Sequence, residues 1–137
     1  MSEAKKQYKC HKISGGKVKG ELLFAADGIC FYLIDPKTGV IIEKEHPLYG
    51  QSIAGKVLVF PYGKGSSVVQ ADGIYQLKMT GKNPAGMIVA NADTTLAASA
   101  IILDAPMVNK MDPAFYDEMH DGQMVELDAD NGILTVD

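Results

Sequence analysis

Three stretches of this 137-residue chain predict a domain of mixed β-strands covered on one side by a few helices, α/β or α+β in class. The first is Val57-Leu58-Val59-Phe60, a β-branched apolar run followed by a glycine-rich turn and a helix-forming segment. The second is the alternation of Met87 to Ala90, Asp93 to Ser99 and Ala100 to Leu103, which reads as strand, short helix capped by Asp93, and strand, a βαβ unit. The third is the pair Met124 to Asp128 and Ile133 to Val136 around Asn131-Gly132, a hairpin signature. These patterns leave the strand order open.

Taken in order, Tyr8 to Ile13 and Val18 to Leu23 flank Ser14-Gly15-Gly16-Lys17, which predicts an opening hairpin. Gly28 to Ile34 is a further apolar run, closed by the turn residues Asp35-Pro36-Lys37-Thr38-Gly39. Val40 to Ile42 reads as a short strand. Glu43 to Gly55 has little periodicity, and within it His46 to Gly55 reads as an ordered loop of the kind that often carries function.

After Phe60, Pro61 ends the strand, and Gly63 and Gly65 let the backbone turn sharply. Ser67 and Gln70 have capping-box spacing at a helix start, which leaves Ser66 free. Val68, Ala71, Tyr75 and Met79, widened by Ile74 and Leu77, form the apolar face of a helix expected to be largely buried. Asp72-Gly73 is its weak point and also offers a competing hairpin turn. Gly81 and Pro84 end the helix. Pro106 to Val108 is a short extended piece, and Asp112-Pro113 starts a brief helix ending near Met119.

The length suits one domain over residues 1–137 with a single core. Hydrophobic residues make up 47% and charged residues 22%, the balance of a soluble globular chain. A net charge of −4 argues against nucleic acid as a partner. The lysines at 5, 6, 9, 12, 17 and 19 read as a basic arm or a solvated strand face. No apolar run approaches the ~20 residues of a membrane span, and no secretory core follows Met1, so a cytoplasmic location without membrane contact is expected.

Cys10 and Cys30 form no Cys-x-x-Cys pattern and are too few for a zinc or iron–sulfur site. They read as small hydrophobes, with a disulfide between them unsupported. His11, His46 and His120 share no metal-ligand spacing, so no metal site is expected on this chain. His11 falls on a strand face, His120 at a helix end, and His46 in the ordered loop, where it serves a structural hydrogen bond or reaches a ligand. The acidic residues Asp117 to Asp130 lack calcium-loop spacing and read as a solvated face.

The turn Gly63-Lys64-Gly65-Ser66-Ser67 is the one stretch with chemistry to weigh. Neither a Walker loop nor a dinucleotide fingerprint fits it, because Lys64 precedes the second glycine and Val68 stands where a third would be needed. One reading is a serine-capped strand-to-helix turn. The other is an anion site built from exposed N–H groups, the helix dipole and Lys64.

Together with His46 to Val59, this turn resembles the signature of the small, swivelling subunit of aconitase X proteins, and the resemblance extends over nearly the whole chain. Tyr32-Leu33 depart from a glycine pair common in that family. The resemblance implies a swivelling β/β/α domain, with mixed sheets or a barrel-like β core. It implies a dehydratase subunit that acts with a larger aconitase X-like subunit as a heterodimer. That partner would carry an iron–sulfur cluster, and this chain would need no cofactor of its own. The implied reaction removes water from (R)-5-phosphomevalonate to give trans-anhydromevalonate 5-phosphate in an archaeal mevalonate pathway. Ser66 would be the proton acceptor, and Lys64, Gly65 and Ser67 would bind the small phosphorylated substrate. The alternatives are a related cis-3-hydroxy-L-proline dehydratase subunit and a non-catalytic interaction module of the same fold.

Overall fold

The computed structural model describes residues 6–136. Met1 and Lys5, and with them the N-terminal end of the expected basic arm, lie outside the described residues, as does residue 137. Eight strands form one mixed sheet: β1 (Lys6–Lys9), β2 (His11–Ser14), β3 (Lys17–Phe24), β4 (Val57–Phe60), β5 (Gly86–Val89), β6 (Met107–Asn109), β7 (Met124–Asp128) and β8 (Ile133–Val136). Their order is β1-β8-β7-β3-β4-β5-β6-β2. β3, β4, β5 and β6 run parallel, whereas β1, β8, β7 and β3 pair antiparallel, as do β2 and β6.

The predicted opening hairpin does not form. β2 pairs with β6 and β3 with β7 and β4, although Ser14 to Lys17 carries turn residues. Instead β1 and β2 are separated by Cys10 alone, whose N–H donates to the Gly132 carbonyl at 2.9 Å. The two ends of the strand order are therefore joined by one residue, and the sheet curls on itself.

Side-chain alternation sorts the core into two layers. Val57 and Val59 of β4, Ile88 of β5 and Val108 of β6 face one cluster, which also takes Tyr8, Leu22, Val125, Leu127 and Leu134 from β1, β3, β7 and β8. Every strand except β2 contributes to this inner, barrel-like filling. Leu58 and Phe60, Met87 and Val89, and Met107 point the other way, toward the helices. A one-residue register slip would exchange the two layers, so burial on both faces fixes the register.

Helices α1 (Ser67–Thr80) and α2 (Thr94–Ile102) cover that second face, and α3 (Pro113–Glu118) closes the barrel side through Phe115. The βαβ unit forms, but its last strand is β6. Ala100–Leu103 continues and ends α2 instead, with Ala100 buried and Ile101 and Ile102 exposed. An apolar run of four residues cannot distinguish strand from helix end.

The expected burial of α1 holds at Ile74 and Leu77 but fails along the rest of the predicted face. Val68, Tyr75 and Met79 are 77%, 50% and 62% exposed, while Gln70, Gly73, Ile74 and Leu77 face the core. The inner stripe contains a polar residue and a glycine, so hydrophobicity alone misorients the helix. Gly73 lies there because the 3-10 turn Phe31–Leu33, not a strand, presses its backbone against it. Asp35 to Gly39 forms its turn, with the Gly39 N–H donating to the Asp35 carbonyl at 2.7 Å. Val40 and Ile41 form only isolated bridges. Lys6, Lys12 and Lys17 pair with Glu118, Asp130 and Glu126, which makes the basic stretch a charge-balanced strand face.

Candidate active site

The parallel strands converge on one end, where a ligand crevice is expected outside their carboxyl termini. β4 leads there into Pro61-Tyr62-Gly63-Lys64-Gly65-Ser66, and α1 begins immediately afterwards. The turn is held to a neighbouring loop by a short parallel pairing. The Ile29 N–H donates to the Tyr62 carbonyl at 3.0 Å, and the Lys64 N–H to the Ile29 carbonyl at 2.8 Å. The Gly28 carbonyl accepts from His46 Nε2 at 3.0 Å, while His46 Nδ1 accepts from the Leu48 N–H at 3.0 Å. The second bond leaves the ring proton on Nε2. His46 is buried and serves structure, tying the ordered loop to the Gly28–Ile29 segment that pairs with the glycine turn.

Gly65 has φ of +103°, a region that favours glycine, and it delivers the chain to Ser66. Ser66, with extended backbone, is the N-cap of α1. Its Oγ accepts from the Val69 N–H at 3.4 Å, and its carbonyl accepts the first helical bond from the Gln70 N–H at 3.0 Å. The predicted capping box at Ser67 and Gln70 does not form; the N-cap is Ser66, and Val69 at the third helical position has no polar side chain to return the bond. Ser67 is the first helical residue, and the Gln70 side chain turns away from it, its Nε2 donating to the Gly65 carbonyl at 3.1 Å and to Asp93 Oδ2 at 3.2 Å. Ser66 combines the capping role with an exposed hydroxyl at the positive end of a 14-residue helix.

Lys64 lies in the same turn, but its ammonium is engaged. It contacts Glu43 Oε2 at 2.6 Å and Asp27 Oδ2 at 3.3 Å. Burial disfavours its charge, yet the hydrogen bonds to Glu43 and Asp27 outweigh that and raise its pKa above the ordinary lysine value. Asp27 and Glu43 lie 37 and 21 residues away in sequence, and no local pattern marks them as partners. Asp27 also accepts from the Gly28 N–H at 2.8 Å and from the Tyr62 hydroxyl at 3.3 Å. The Gly28 N–H first, and then Lys64, hold its carboxyl below the ordinary value of 3.8.

A group with a depressed folded pKa contributes stability above its unfolded pKa and loses it as pH falls through the folded value. Asp27→Asn should therefore melt lower than the wild type at neutral pH. The two melting temperatures should converge when the pH is lowered from about 7 to about 2.5. A constant difference across that range would show that the Asp27 charge contributes nothing.

Beside Pro61, an apolar crevice of about 210 Å³ opens among Phe24, Ala25, Phe60, Ala90 and Tyr116. It shares the carboxyl end of β3, β4 and β5 with the turn, and burial raises the Tyr116 phenol above its ordinary pKa. The site thus joins an apolar wall to a polar, positively polarised helix start.

The donor set does not suit an iron–sulfur cluster. Cys10 and Cys30 are free thiols, and burial first, then Asp128, pushes Cys10 up to about 11. Among the described residues no three His, Cys, Asp or Glu side chains group as metal ligands. No described helix is long and apolar enough to cross a membrane.

Comparison with known proteins covers the same elements. The family described as the aconitase X swivel domain matches residues 7–136. The phosphomevalonate dehydratase small subunit of Thermococcus onnurineus is 44% identical over 130 residues, 94% of this chain and 97% of the relative. That of Methanothrix thermoacetophila is 41% identical over 131 residues, 95% and 94% of the two chains. The crystal structure of Thermococcus kodakaraensis aconitase X in its holo-form aligns over 96% of this chain and 98% of that one, at 42% identity and a TM-score of 0.87. Since the match runs through the curled sheet, the glycine turn and both covering helices alike, the chain belongs to the aconitase X swivel family.

Proposed function

We propose that this chain is the small subunit of a hydro-lyase that removes water from (R)-5-phosphomevalonate to give trans-anhydromevalonate 5-phosphate. The observation that carries the reading is an exposed serine hydroxyl, Ser66 Oγ, fixed at the N-cap of α1 in a chain 41% to 44% identical to small subunits of that name. In this reading Ser66 accepts the substrate proton. A serine hydroxyl is a weak base, so the alkoxide character it needs must come from its surroundings. The Val69 N–H points at Oγ, and the first-turn N–H groups and helix dipole favour negative charge there. Lys64 contributes less than its charge suggests, because Glu43 and Asp27 offset it locally. Its role is to hold the turn in the free chain and to meet the substrate anion as those carboxylates yield. Gly65 and Ser67 supply the backbone on which that anion rests.

The second half of the reaction, loss of hydroxide, requires an electrophile, and the described residues offer no group of metal ligands to hold one. An iron–sulfur cluster supplies Lewis-acid chemistry of that kind. The thiols here do not fit one, so in this reading the cluster belongs to a larger partner, with which the chain forms a cytoplasmic heterodimer. The engagement of Lys64 by two carboxylates also suits a substrate without phosphate, such as cis-3-hydroxy-L-proline.

The chain purified alone should be folded and should neither hold stoichiometric iron nor dehydrate either compound. Combined with its larger subunit, it should turn over phosphomevalonate. Turnover of hydroxyproline alone would overturn the substrate, and activity of the chain by itself would overturn the division of labour.

A further inference from the structure

Gln70 is 96% buried at the base of the reactive turn, by the measure that only 4% of it is exposed. Its amide nitrogen has two protons and uses both, one on the Gly65 carbonyl at 3.1 Å and one on Asp93 Oδ2 at 3.2 Å. Asp93 in turn caps α2, its Oδ1 accepting from the Leu96 N–H at 2.7 Å. The starts of both covering helices are therefore tied to each other and to the residue that precedes Ser66. The Gln70 Oε1 atom has no hydrogen-bond partner. It presses instead against Gly63, where a Cβ would collide with it. An apolar side chain of the same length would fill this space without stranding a buried acceptor, so the amide is not the choice of packing alone.

We infer that Gln70 is a positioning residue for Ser66: its Nε2–H fixes the Gly65 carbonyl, and thereby the peptide plane that aims the Ser66 hydroxyl at the substrate. The inference rests on the dehydratase reading for its kinetic consequences and on the geometry alone for its structural ones. Gln70 touches neither the reacting atoms nor the substrate. Its loss should lower kcat and leave KM nearly unchanged, because a misdirected hydroxyl still permits binding.

The test uses the chain assembled with its larger subunit and three variants, Gln70→Met, Gln70→Glu and Gln70→Glu with Asp93→Asn. Gln70→Met keeps the volume and removes the donor. It should lower kcat by about tenfold or more with KM within about twofold, since small misplacements of a reacting group cost rates of this size. Gln70→Glu combined with Asp93→Asn reverses the side-chain tie. Asn remains a good N-cap for α2 and can donate to the new carboxylate, but that carboxylate cannot donate to Gly65. The double variant should recover thermal stability relative to Gln70→Glu alone and stay as slow as Gln70→Met. Recovery of kcat by the double variant would overturn the inference, because only the tie between helices would then matter. A rise in KM with unchanged kcat would also overturn it. Backbone hydrogen exchange supplies a readout independent of substrate. In Gln70→Met the Lys64 and Val69 amides should exchange faster while those of Ile88 and Val108 hold, and uniform protection would count against the clamp even if the substrate assignment failed.

Discussion

Ser66→Asn should abolish most turnover of the assembled enzyme while leaving its melting temperature close to that of the wild type. Asn is as good an N-cap as Ser, so the helix start keeps an acceptor for its first-turn N–H groups. What it lacks is the hydroxyl, and loss of a positioned proton acceptor costs on the order of 100-fold to 10,000-fold in rate. Ser66→Ala should lose activity to the same degree and also about 1 kcal/mol of stability, because the Val69 N–H then loses its acceptor. Ser67→Ala, at the first helical position and exposed, should leave the melting temperature almost unmoved. Steady-state assays of the complex and thermal melts of each variant separate the proposed catalytic role of Ser66 from its capping role. Full turnover by Ser66→Ala would leave a non-catalytic module of this fold as the better description. Loss of turnover in Ser67→Ala alone would move the proton acceptor by one residue.

Gly73→Ala should destabilise the chain even though alanine is the better helix former by about 1 kcal/mol. A Cβ at this position would lie 2.5 Å from the Phe31 carbonyl carbon, and the Tyr32 nitrogen is also in its way. Both obstacles are backbone and cannot rotate aside. The helix must lift from the 3-10 turn, an overpacking that typically costs about 1–3 kcal/mol and here belongs at the upper end, for a net loss of about 2 kcal/mol. Chemical denaturation should show a lowered midpoint with an unchanged slope. A stabilised Gly73→Ala would mean that the close approach of α1 to Phe31–Leu33 is not maintained in solution.

Elements governed by local chemistry were readable from the sequence. Asn131-Gly132 marks the β7–β8 hairpin, Asp93 and Asp112 mark the starts of α2 and α3, Gly81 marks the end of α1, and four consecutive apolar residues mark β4. The glycine turn was legible for the same reason, since Gly65 and the serines declare a strand-to-helix corner. What escaped was set by distant partners. Ser14 to Lys17 has hairpin residues, but β2 and β3 gain more by joining β6 and β4, and no residue near the turn encodes that choice. The face that α1 buries depends on the 3-10 turn some forty residues earlier in the chain. The neutralisation of Lys64 depends on Asp27 and Glu43, and the true cap was hidden because Gln70 gives capping-box spacing to Ser67 while the cap is its neighbour Ser66. Sequence spacing together with the family resemblance marked the candidate turn; its electrostatics came from loops that meet only in the fold.

Joining the ends of the strand order through Cys10 has a further effect on how this molecule can associate. A sheet with long bare rims invites other chains to add a strand. Here the outermost strands, β1 and β2, are each four residues long and meet at a bend. They carry Lys6 and Lys9 on one and Lys12 on the other, charges that discourage backbone-to-backbone annealing. Strand addition is thus a poor route for recruiting a companion or for self-polymerisation. Association is left to side chains on the outside of the curl and around the glycine corner, so a companion subunit would recognise a surface rather than extend a sheet.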